Sequence, residues 1–189
     1  MKLFVSIIII TILNLSSSLA KSKSQNSFDR HPSAKVSDPV VSLPVNEEVC
    51  FSPEMNCDQK LVKLIQSAQK SIDLAIFDIT LDQVVHEILV KSKKIPVRIV
   101  VDRRQSKGPH SLVSTLLKAK ANVRYGKQRG IMHNKFIIVD GKILQTGSFN
   151  YTNGAAFKNE ENQIYLTAPK VLKIYQDRFE VIWQKSKEK

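Results

Sequence analysis

The chain has 189 residues, room for one ordinary domain and not two. Its 29 Lys and Arg against 17 Asp and Glu give a formal net charge of +12, which points to polyanionic partners such as nucleic acid or an anionic membrane and away from basic ones. Two cysteines and four histidines without paired ligand spacing argue against a structural metal site.

Residues 1–20 read as an export signal. Lys2 supplies the positive start, the stretch 3–15 is apolar, and Ser18-Leu19-Ala20 offers small residues at a cleavage site. The apolar run is shorter than the about 20 residues of a membrane span, so cleavage and export are expected, to the periplasm or outside the cell. Removing this segment, whose one charge is Lys2, leaves +11. Residues 21–47, which include His31, are rich in Ser, Lys, Asn and Pro and read as a flexible linker. The folded domain is expected over 48–189. In an exported protein Cys50 and Cys57 are expected to pair, contributing about 2–3 kcal/mol by the chain-entropy argument.

A first strand is expected at 49–51, stopped by Pro53. Leu61, Leu64, Ile65 and Ala68 have helical spacing within 58–70. A buried strand follows at 72–79, then a helix marked by Leu81, Val84, Val85, Ile88 and Leu89. The β-branched run 97–101 is a further strand, bounded by Pro96 and Asp102. Residues 103–110 are polar and basic, with Gly108-Pro109 as a breaker. A helix over 111–120 and a short strand over 122–125 come next. The runs 133–139 and 143–146 flank Asp140-Gly141, a strong hairpin signal. A strand at 161–166 precedes a closing helix from Pro169, whose apolar face carries Val171, Leu172, Ile174, Tyr175, Phe179, Ile182 and Trp183. Strands alternating with helices, then a hairpin, argue for a one-domain α/β sandwich with a mixed sheet and helices on its faces.

The densest chemistry lies in 133–150, HNKFIIVDGKILQTGSFN. His133 and Lys135 are two apart, so on a strand they share a face. That sets a nucleophile or general base beside a fixed positive charge, which suits attack on a phosphate ester. Ser148 and Asn150 are again two apart and can donate to phosphate oxygens, with Gly147 allowing close backbone approach. Asp140 opens the turn, and its carboxylate is expected to bond local backbone. Phe149, Tyr151 and Phe157 are candidates for lining a substrate site. Arg103, Arg104, Lys107, Lys127 and Arg129 are candidates for holding a phosphate backbone. His86 and His110 read as packed or exposed residues, although His110 is placed to touch substrate.

The pattern H-x-K-x4-D followed by G-S-x-N resembles the phospholipase D superfamily, in particular its short exported members with one motif per chain. The resemblance implies catalytic roles for His133, Lys135 and Asp140, phosphate binding by Lys135, Ser148 and Asn150, and a Glu that orients the histidine. Glu161 fits that place by spacing, with Glu160 its neighbour. One motif per chain implies a homodimer whose two motifs meet. In-line displacement at phosphorus supports this, because a nucleophile and an acid act on opposite sides and one His cannot be both. No cofactor is expected and no metal ligand set is evident, so activity should survive a chelator. The substrate is expected to be DNA or RNA, cut without sequence preference. The alternatives are a phospholipid head group or, in an inactive member, nucleic-acid or membrane binding alone.

Overall fold

The structure is a computed structural model that describes residues 47–126 and 129–187. The expected signal, the linker with His31, and Lys127 lie outside the described residues. Thirteen elements follow in order: β1 (Glu48–Ser52), α1 (Cys57–Ser67), β2 (Ile72–Ile76), α2 (Asp82–Ser92), β3 (Val97–Asp102), a 3-10 turn (Gln105–Lys107), α3 (Val113–Lys118), β4 (Asn122–Gly126), β5 (Lys135–Val139), β6 (Ile143–Gly147), α4 (Asn153–Phe157), β7 (Glu161–Leu166) and α5 (Pro169–Lys185).

The described strands form one seven-stranded sheet in the order β1-β7-β6-β5-β2-β3-β4. Strands β2, β3 and β4 run parallel, and the rest pair antiparallel. The expected α/β sandwich is what the chain adopts. Side-chain alternation sorts the sheet into two apolar layers. Leu74, Ile76, Ile99, Val101, Ile137 and Val139 pack with α1, α2 and α3 on one face. Ala75, Val100, Phe136, Ile138 and Leu144 meet Leu172, Phe179, Ile182 and Trp183 of α5 on the other. Arg98 pins α5 to the sheet. It bonds Asp73 at 2.7 Å and Glu180 at 2.6 Å, and lies 4.9 Å from the Phe179 ring. Both carboxylates hold its guanidinium firmly charged.

Cys50 of β1 and Cys57 of α1 are joined by a disulfide. It clips an edge strand that otherwise has only β7 as ladder partner.

Several boundaries differ from the periodic reading, each for a tertiary reason. Helix α1 stops at Ser67 rather than continuing to 70. The N–H groups of Gln69, Lys70 and Ser71 donate instead to the Asp140 carboxylate, at 3.0, 2.6 and 3.0 Å. So Asp140 does not bond local backbone as expected. It ties the β5–β6 turn to a segment about seventy residues earlier in the chain. Asp140 and Gly141 have φ of 57° and 64°, the positive values a type I′ turn demands. Strand β2 ends at Ile76 because its partner there, Lys135, is the first residue of β5. Ile79 instead makes an isolated bridge to Tyr151. Helix α3 is shorter than expected, and Lys120 just beyond it has φ of 59°. The sequence reading missed α4, capped by the Thr152 hydroxyl accepting from the Ala155 N–H at 3.2 Å.

Asp140 gives a testable stability effect. Partial burial works against its charge, but the three donated N–H bonds and nearby Lys142 outweigh that and hold the carboxyl below its ordinary value. A depressed carboxyl stabilises the fold above its unfolded pKa of about 4, and the gain fades as pH falls through the lower folded value. Asp140→Ala is therefore expected to cost about 1–2 kcal/mol in urea unfolding at pH 7. The gap from the parent should narrow at about pH 2–3. An equal gap at both pH values would contradict this.

Candidate active site

The β2–β5 edge sets the site. Lys135 pairs with Ile76 as the two strands begin and end, so the residues before Lys135 and after Ile76 leave the ladder together at one end of the sheet. His133 is therefore not on a strand, contrary to the sequence expectation; it lies in the segment leading into β5. The Met132 N–H is drawn away to the Asp102 carboxylate at 2.8 Å instead of extending the β2–β5 ladder. His133 and Lys135 still converge, through Phe77 and backbone. The His133 ring meets the Phe77 ring edge at 4.6 Å between centroids. The Lys135 ammonium lies 5.1 Å from that ring and donates to the His133 carbonyl at 3.1 Å.

His133 is exposed, whereas Lys135 is buried with 8% of its surface accessible. Burial pushes the Lys135 ammonium below the usual lysine value, against the pull of Glu161 and Asp78. Among the described residues no side chain hydrogen-bonds the His133 ring. The site thus holds a fixed, half-desolvated cation next to an imidazole open to solvent.

Alternation along 148–151 shapes the next wall. Phe149 and Tyr151 are fully buried, while Ser148 is exposed and Asn150 half-buried. Two of the aromatic residues considered for substrate contact are therefore core, and only Phe157 is exposed. Tyr151 anchors the segment: its N–H donates to the Asp78 carbonyl at 3.1 Å, and its carbonyl accepts from Thr80 at 2.8 Å. Gly147 is required where it stands. With φ of 152°, a Cβ there would lie 2.2 Å from the Asn162 carbonyl oxygen.

Glu161 opens β7 beside this wall, and Glu160 lies outside the strand. The Glu161 carboxylate accepts from the Ser148 hydroxyl and, at 3.1 Å, from the Asn159 amide. It does not bond the His133 ring of its own chain. The β6–β7 pairing brings Ser148 to it first. Ser148 also accepts from the Asn162 N–H at 3.1 Å, so its hydroxyl both donates, to Glu161, and accepts. The Asn150 Oδ1 is buried without a hydrogen-bond partner among the described residues, and such orphans are uncommon in folded proteins.

Asp140 stands at the far end of β5, five residues from Lys135, or about 17 Å at strand rise. It serves the turn and does not reach the reacting groups.

Four residues that sequence patterning missed complete the neighbourhood. Phe77 and Asp78 follow β2 into the site. The Gln105 amide donates to Asp78 at 2.8 Å. Asp102, 2% exposed, accepts from the N–H groups of Arg104 and Gln105 as well as Met132, each at 2.8–2.9 Å. One buried carboxylate therefore fastens the basic loop after β3 to the histidine segment. The exposed Arg104 and Lys107 ride on that loop, as does Arg103. Each link depends on tertiary pairing; the one local hint is Asp102 at the polar end of an apolar run.

Sheet, hairpin and site together define a phospholipase-D-like domain. The family model "Cardiolipin synthase, PLD-like domain" matches residues 61–183, and the chain belongs to the phospholipase D superfamily. A mitochondrial cardiolipin hydrolase of Chlamydomonas reinhardtii is 34% identical over 125 residues, 66% of this chain and 56% of that protein. A phospholipase D of Rickettsia prowazekii is 34% identical over 132 residues, 69% of this chain and 64% of the relative. The chain thus spans somewhat over half the length of these two curated relatives. The crystal structure of Nuc from Salmonella typhimurium, a phospholipase D family member, superposes with a TM-score of 0.71 at 27% identity, covering 76% of this chain and 97% of that one.

Proposed function

We propose that the chain is a metal-independent phosphodiesterase working through a phosphohistidine at a site shared by two copies, with nucleic acid as its main substrate. The observation that carries this is the exposed His133 ring, hydrogen-bonded to no side chain among the described residues, beside the buried Lys135 cation. Attack by one His133 on phosphorus forms a P–N bond and breaks one P–O ester bond. The ring N–H of the second His133 passes its proton to the leaving oxygen. That second ring, now neutral, takes a proton from water, and the hydroxide breaks the P–N bond to release the product. Two Lys135 ammonium groups offset charge on the non-bridging oxygens. Each supplies the fixed positive charge that the displacement needs, which is why chelator-resistant activity is expected.

In this reading the Ser148 hydroxyl and Asn150 amide donate to the same oxygens. A bound phosphate would draw the Ser148 proton from Glu161, leaving that carboxylate free to accept a ring N–H from the His133 of the second copy. A carboxylate so placed fixes the tautomer and raises the basicity of the other nitrogen. The loop bearing Arg103, Arg104 and Lys107, fastened to the histidine segment by Asp102, favours a long polyanion over an isolated head group.

A second reading is hydrolysis of phospholipid head groups. It is favoured by the names of the relatives at 34% identity, a cardiolipin hydrolase and a phospholipase D. Incubation with plasmid, single-stranded DNA and cardiolipin vesicles in excess chelator separates the two. DNA cleavage with intact vesicles is the expected result. Vesicle hydrolysis with intact DNA would transfer the assignment to lipid, and loss of all activity in chelator would overturn metal independence. Export after cleavage at Ala20 belongs to the same proposal, and N-terminal sequencing of protein recovered outside the cytoplasm tests it.

A further inference from the structure

Beside the His133–Lys135 centre, a cleft of about 670 Å³ opens between the start of α2, the loop after β3, α3 and the start of α4. That is the size of a small-molecule site. Its walls mix polar groups with apolar surface in about equal measure. Thr80, Ser111, Ser114, Thr115 and Thr152 bring hydroxyls and Asn153 brings an amide, while Leu112 and Pro109 bring apolar side chains. The cleft joins the catalytic centre through Asp78 and its partner Gln105, both of which line it. Asp78 follows Phe77, whose ring touches both the His133 ring and the Lys135 ammonium. Asp78 also pulls on the Lys135 charge, so the cleft opens off the side of that centre.

We infer that this cleft is a subsite for the hydroxylated alcohol esterified to the scissile phosphate: the pentose of a nucleic acid or the glycerol of a phospholipid head group. The inference rests on the phosphodiesterase reading and adds the substrate's neighbouring group to it. Hydroxyls, an amide and carboxylates of Asp78 and Asp82 can each donate to or accept from a polyol. A polyol offers carbon faces and hydroxyls to such mixed walls, whereas an acyl chain would desolvate the polar groups without replacing their hydrogen bonds. The basic loop forms one side of the cleft through Gln105 and Gly108 to Leu112, and the exposed Arg104 and Lys107 on the same loop add positive charge near it for a further phosphate of a sugar–phosphate strand. This favours the pentose.

The variants Ser114→Trp and Asn153→Trp fill the cleft from exposed positions outside the reacting groups. Steady-state hydrolysis of thymidylyl-thymidine, glycerophosphoglycerol and bis(4-nitrophenyl) phosphate is compared with the parent's. The variants should lose about tenfold or more in kcat/KM for a polyol diester, mainly through KM, since two lost hydrogen bonds are worth about that factor. The nitrophenyl diester, whose ring can make none of those hydrogen bonds, should lose severalfold less. A loss confined to the dinucleotide assigns the pentose, and one confined to the glycerol diester assigns glycerol. Unchanged constants for all three, or an equal fall in all three, would overturn the subsite. A parent that cleaves none of them sinks the phosphodiesterase reading alone. Calorimetric titration with thymidylyl-thymidine then decides the cleft, which Ser114→Trp should close to binding and which unaltered affinity would refute.

Discussion

His133→Asn is expected to lower turnover by about 10⁴-fold or more while leaving substrate affinity and folding nearly unchanged. The ring is exposed and bonded to no side chain among the described residues. Its replacement therefore removes the edge contact with Phe77 but no buried hydrogen bond, and unfolding should stay within about 1 kcal/mol of the parent. What the variant loses is both the atom that attacks phosphorus and, on the second copy, the proton donor for the leaving oxygen. Activity above about a hundredth of the parent's, in protein free of parental contamination, would show that another group attacks. Lost binding with lost turnover would instead make His133 a binding residue.

Lys135→Met is expected to separate stability from activity. Methionine matches the length of the lysine stem and suits a site only 8% exposed. Loss of the ammonium should reduce kcat by about 10²–10³-fold, the usual cost of removing one preorganised charge at a developing oxyanion. The fold should be no weaker, because a half-desolvated cation is exchanged for an apolar group. The pH dependence carries a linked sign. Burial lowers the Lys135 pKa despite Glu161 and Asp78, so between the folded value and the unfolded 10.5 the unfolded chain binds the extra proton. Over that window stability from this group rises with pH while activity falls. An activity plateau extending up to the ordinary lysine range, or a Met variant with parental kcat, would remove Lys135 from the mechanism.

Periodicity made the architecture readable because most elements bury one face or a whole run. The run 97–101 reads as an interior strand, and of the apolar face expected on the last helix Leu172, Phe179, Ile182 and Trp183 are buried while Ile174 is exposed. Asp140-Gly141 marked the hairpin because few other pairs tolerate two positive φ values in succession. The site was legible to the extent that its spacing is local: 133, 135, 148, 150 and 161. What patterning missed depends on partners distant in the chain. Asp140 read as a self-contained turn, yet its acceptor oxygens serve Gln69, Lys70 and Ser71. Phe77, Asp78 and Asp102 read as strand ends until pairing set them around His133. Glu161 read as the histidine's partner, and within its own chain the β6–β7 register gives it Ser148. The aromatic residues 149 and 151 were open to two readings because a short alternating segment does not reveal which face meets the core. Helix α4 escaped because five residues are too few to show a helical period.

The composite site is the claim on which the mechanism depends, and its stoichiometry tests it most directly. The chain would be mixed with a slowly cleaved phosphodiester, quenched in alkali, which preserves a phosphorus–nitrogen bond, and read by intact-mass and peptide mass spectrometry, with sedimentation of the same sample. The account predicts a dimer carrying the phosphoryl fragment on His133 of no more than one of its two chains, and no adduct with His133→Asn. An active monomer, an adduct on both chains of every dimer, or turnover with no adduct at His133 would contradict it.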